Sequence, residues 1–136
     1  AAAETVSAEL DEQRERALAE MTAQSEKIIA EAEKRADQIR KEGKKAAALV
    51  RKEADKRADQ LVDEAGSNPL AKVAAKEGAK QLTREADKRA GQLEREADKR
   101  ADQVVAEAKK RTDELQAKTE AQSKRAVDET TRKIAE

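Results

Sequence analysis

The chain has 136 residues, 44% of them charged, with 30 basic and 30 acidic groups balancing to zero and no aromatic residue, His or Cys. Leu, Ile and Val together are 19 residues, too few for a rounded core, while 30 alanines and a surplus of Glu, Lys, Arg and Gln favour helix over strand. This composition excludes Ser-His-Asp and Cys-His catalysis, imidazole or thiolate metal sites and base stacking, and zero net charge disfavours nucleic-acid binding.

The first half of the chain is organised by an eleven-residue repeat. Glu31–Lys41 reads EAEKRADQIRK and Glu53–Asp63 reads EADKRADQLVD, twenty-two residues on. Repeats in this frame start at residues 9, 20, 31, 42 and 53. Eleven residues are three helical turns at about 3.67 residues per turn, a nearly straight or slightly right-handed geometry. The second, sixth and ninth positions are small or apolar and lie on one helix face. In this half the stripe comprises Ile28, Ala32, Ala36, Ile39, Gly43, Ala47, Val50, Ala54, Ala58 and Leu61. A first helix is expected over about residues 5–65. The N-terminal Ala1-Ala2-Ala3 suits a mature end left by signal-peptide removal and a trimmed chain end equally well.

The frame slips by one residue at Gly66-Ser67-Asn68-Pro69, which holds the only proline. Gly66 suits the left-handed position past a helix end, Asn68 an N-cap and Pro69 the first helical turn, so a turn is expected at residues 66–68.

Repeats resume at 74, 85, 96, 107, 118 and 129, among them EADKRAGQLER at 85–95 and EADKRADQVVA at 96–106. The second stripe comprises Ala75, Ala79, Leu82, Ala86, Ala90, Leu93, Ala97, Ala101 and Val104, on a helix expected over about residues 69–134. The expected fold is all-α: residues 1–136 as one elongated antiparallel two-helix hairpin, a hendecad coiled coil with an alanine seam. At 1.5 Å per residue each helix spans on the order of 90–100 Å. Folding about Gly66 with large residues facing large ones predicts Ile28 against Val104, Ile39 against Leu93, Val50 against Leu82 and Gly43 against Ala90. Arg14, Ser25, Thr112, Thr119, Ser123 and Thr130 interrupt the stripe toward the free ends, where looser packing is expected. Glu31/Arg35, Glu53/Arg57, Glu85/Arg89 and Glu96/Arg100 are spaced four apart in the favourable helical order and are expected to pair along the helix. The acid pairs Asp55/Asp59 and Asp98/Asp102, interleaved with Lys56 and Lys99, read as solvated faces rather than cation sites.

At Ser25–Lys45, SEKIIAEAEKRADQIRKEGKK, the chain resembles the rod of a peripheral-stalk subunit of rotary ATP synthases, whose repeats are similarly alanine-rich. The repeats also resemble those of late-embryogenesis-abundant group 3 proteins, a resemblance that implies disorder in water and helix on drying. The central turn departs from the stalk pattern, and the capped, layered stripe departs from the disordered one. Together these readings predict no enzyme, cofactor, metal or nucleic acid. They predict a spacer or scaffold that meets a protein partner or a second copy, with a four-helix bundle and an extended antiparallel dimer as open alternatives. Stress protection or lipid-surface binding is the alternative role. The lipid role is disfavoured by an alanine face without aromatic anchors. A bacterial periplasm, cell envelope or secreted setting is preferred over the cytoplasm.

Overall fold

A computed structural model describes residues 2–135. The chain is all-α: α1 runs Ala2–Glu64 and α2 runs Pro69–Ala135, packed antiparallel, with no strand among the described residues. Helix 1 therefore starts earlier than expected and ends one residue sooner. Good helix formers fill both, Glu4 lies in the first turn of α1, and Arg132 and Lys133 lie in the last turn of α2, each on the favourable side of the helix dipole.

The turn follows from its residues. Gly66 takes φ +65°, a conformation costly for side-chain-bearing residues, and donates its N–H to the Asp63 carbonyl at 3.2 Å. Asn68 caps α2: its Oδ1 accepts from the Leu70 N–H at 3.1 Å while its carbonyl accepts from Lys72 N–H at 2.9 Å. Pro69 occupies the first helical position, where no N–H is needed.

Two compact units share these helices, Arg35–Gln103 and Ala1–Lys34 with Val104–Glu136. Within Arg35–Gln103 the helices flank the turn and meet along alanines. Ala36, Ala47, Ala90 and Ala101 are completely buried, with Ala58, Ala75, Ala86 and Ala97 nearly so. The four completely buried alanines all hold the sixth position of their repeats. No large side chain is fully buried anywhere among the described residues.

Within the other unit, Ala32 and Ala108 are buried and Thr112 joins them. A buried hydroxyl is costly unless bonded. Thr112 Oγ1 donates to the Lys109 carbonyl at 2.7 Å, and Thr119 Oγ1 to the Leu115 carbonyl at 2.8 Å. These threonines turn their donors back onto their own helix.

Candidate helix–helix interface

Close approach of the backbones fixes the register. A Cβ built on Gly43 would overlap the Ala97 methyl, and its next nearest atom would be the Leu93 carbonyl oxygen at 3.6 Å. Near the turn, a Cβ on Gly78 would come within 3.0 Å of Leu61 Cδ2. Gly43 thus faces Ala97 and not Ala90, seven residues or two turns away from the expected pairing. Val50 correspondingly shares a groove with Ala86 and Arg89 as well as Leu82.

This shift changes which layers meet. Second positions face second positions, as at Gly43 and Ala97. Sixth positions face ninth positions, so that Ala47 lies opposite Leu93, Ala90 opposite Val50 and Ala101 opposite Ile39. Large residues then sit over alanines, which explains why these three alanines are completely buried while Ile39, Val50 and Leu93 stay half-buried. The expected large-on-large pairing is corrected on physical grounds. Two branched side chains end to end would hold the axes apart and leave gaps over the alanine layers, whereas a side chain over an alanine interdigitates at close-packed density.

The remaining stripe residues vary in burial. Ile28, Ala54, Ala79, Leu82 and Val104 are half-buried, and Leu61 is 37% exposed beside the turn. Ile28 lines a groove with Arg111 and Leu115 of its own unit. The polar interruptions lie in similar surroundings: Arg14, Ala17, Ser123 and Ala126 border one open groove. No ion pair joins Arg14 to a carboxylate among the described residues.

Charges also organise the seam, differently from the sequence expectation. None of the four expected Glu/Arg pairs closes along its helix; Arg16 with Glu12 at 3.5 Å and Arg40 with Asp37 at 3.6 Å are the ion pairs within one helix among the described residues. Two arginines reach across instead. Arg40 Nη2 donates to Asp102 Oδ1 at 2.9 Å, with its Nε 3.7 Å from Asp98. Arg51, eleven residues on, donates from Nη1 to Glu94 Oε1 at 3.0 Å and from Nε to Asp87 Oδ1 at 3.3 Å. Asp98 and Asp102 are therefore not merely a solvated face: they receive an arginine from the facing helix. The Arg51 guanidinium is held above its ordinary pKa, foremost by the Glu94 hydrogen bond, with desolvation opposing and Asp87 assisting. A raised folded value means its contribution is complete below the ordinary arginine range and fades only as pH climbs through that range.

Arg40 and Arg51 both hold the tenth position, so one edge of the seam is stapled at successive repeats. Sequence reasoning missed them because it sought partners four residues away on the same helix. The signal was present: an arginine directly after the large residue in two adjacent repeats.

Among the described residues no group of three or more His, Cys, Asp or Glu is placed to hold a metal, and no helix is long and apolar enough to cross a membrane. Leu70 and Val73 stand exposed beside the turn, 83% and 65% accessible. No protein-family model, curated protein or solved structure matches the chain. The likenesses to stalk rods and late-embryogenesis-abundant repeats rest on the repeat alone.

Proposed function

We propose that this chain is a non-catalytic structural protein, a helical-hairpin spacer or scaffold whose work is to hold a partner at a fixed position. The observation that carries the reading is the seam: alanines completely buried under large residues of the facing helix, with arginines stapling one edge. A chain that is helical only when dried has no use for a glycine placed where a single methyl would clash. The partner is a protein, and the setting proposed is the bacterial cell envelope, an expectation carried over from the sequence.

Far-UV circular dichroism in dilute buffer tests the structural part. A strongly helical spectrum with a cooperative melt is expected. A mostly unfolded chain that turns helical only on drying or in alcohol would sink it and support the stress-protective or lipid-surface alternative. Cross-linking in the native cell tests the partner, and fractionation tests the setting: recovery with the cytosol would rule out the envelope.

A further inference from the structure

The two edges of the seam within Arg35–Gln103 are unlike. One is stapled by Arg40 and Arg51. The other is an open groove with Val50, Ala54, Leu82 and Ala86 along its floor. Its rim carries Glu53, Arg57, Glu85 and Arg89, none of which makes an ion pair.

The groove matches itself. Val50, Glu53, Ala54 and Arg57 on α1 hold the ninth, first, second and fifth positions of the repeat. Leu82, Glu85, Ala86 and Arg89 hold the same positions on α2. Antiparallel packing relates the two sets by a local two-fold axis rising from the groove. Each rim presents a carboxylate and a guanidinium one turn apart, both unpaired, beside large apolar side chains left half-exposed. A surface with these properties is complementary to a copy of itself. A copy turned over about an axis along the helices sets α1 of each molecule over α2 of the other, with Arg57 about 3 Å along the axis from Glu85 of the second molecule and Glu53 equally near its Arg89. That is the reciprocal arrangement of a two-fold interface.

We infer that this open edge is a self-association surface on which a second copy of the chain docks, its groove floor on this floor, forming a four-helix layer. The inference rests on the spacer reading and names one of its partners. Apolar contact between the Val50 and Leu82 floors supplies the attraction, and the unpaired Glu and Arg set the register and exclude unlike surfaces. The stapled edge does not compete, because its guanidinium groups are already engaged.

Sedimentation equilibrium over a concentration series, with circular dichroism on each sample, tests this on the whole chain. The wild type is expected to associate. R57E with R89E makes the rim wholly acidic, and the dissociation constant is expected to rise at least about tenfold, or about 1.4 kcal/mol, with helicity unchanged. Adding E53R and E85R exchanges the signs completely and restores self-complementarity, so association is expected to return to within about threefold of wild type. A helical wild type that stays monomeric to about 1 mM overturns the inference and leaves the spacer reading standing. Association indifferent to R57E and R89E, or not restored by the exchange, overturns it too. A chain unfolded at every concentration overturns both.

Discussion

Gly43 and Gly91 sit in the same kind of helix yet make opposite demands. A methyl at Gly43 meets the Ala97 methyl, which is fixed to a backbone and cannot turn aside. A methyl at Gly91 meets only the Arg95 guanidinium, at 3.3 Å, the far end of a flexible side chain. Replacing a helical glycine by alanine gains about 0.8–1 kcal/mol of helix propensity, while over-packing a tight contact costs about 1–3 kcal/mol. G91A is therefore expected to raise the urea midpoint, and G43A to lower it despite the same gain in propensity. If both variants stabilised the fold equally, the close approach at Gly43 would be wrong. Gly66 is a third case: a methyl there would meet nothing within 4 Å, but the φ of +65° makes G66A cost about 1–2 kcal/mol through the backbone alone.

At the scale of the elements, the turn was readable and the register was not. Gly66, Asn68 and Pro69 each act through local backbone geometry, so their roles follow from identity and order. N68A is expected to lose about 0.5–2 kcal/mol, measured by chemical denaturation. Register is a choice among pairings, and an eleven-residue repeat offers several that keep the stripe inside. Matching like with like gave Gly43 opposite Ala90. Packing density prefers a large residue over a small one, which moves the facing position two turns to Ala97. Cysteine pairs separate the two. A54C with A86C is expected to oxidise readily. A54C with A79C places its second thiol about 10 Å along the helix, beyond the span of a disulfide. The stapling arginines escaped for the same reason: their partners are neighbours only once the register is known. A double-mutant cycle on Arg40 and Asp102 is expected to give a coupling of about 0.2–1 kcal/mol that shrinks as salt is added, as for other exposed pairs.

For the whole molecule, the unevenness of the seam governs where it opens. Within Arg35–Gln103 the layers are alanine under large aliphatics. Within Ala1–Lys34 and Val104–Glu136 the corresponding positions include Arg14, Ser25, Thr112 and Thr119, and grooves open beside them. Hydrogen exchange in native buffer is expected to be slowest in α1 after Arg35 and in α2 before Gln103, and faster by more than tenfold toward both termini. Uniform protection from end to end would contradict this. The composition motivates that expected gradient through its polar interruptions. It did not foretell that buried threonines would satisfy themselves on their own helix, as Thr112 does.

The repeat that makes the seam also makes errors available. Sliding one helix past the other by eleven residues would set Gly43 against Ala108, still second position on second position, with Val50, Leu93 and Val104 again over alanines. Side-chain packing alone barely separates these frames. The short link from Glu64 to Pro69 does separate them, because it has no slack to absorb a shift of three turns. The bend is in this sense a reading-frame device: it allows the nascent helices only one way to zip. Eleven extra flexible residues inserted after Ser67 would remove that constraint, and a slow refolding phase from misaligned hairpins is then expected, with none expected of the parent chain.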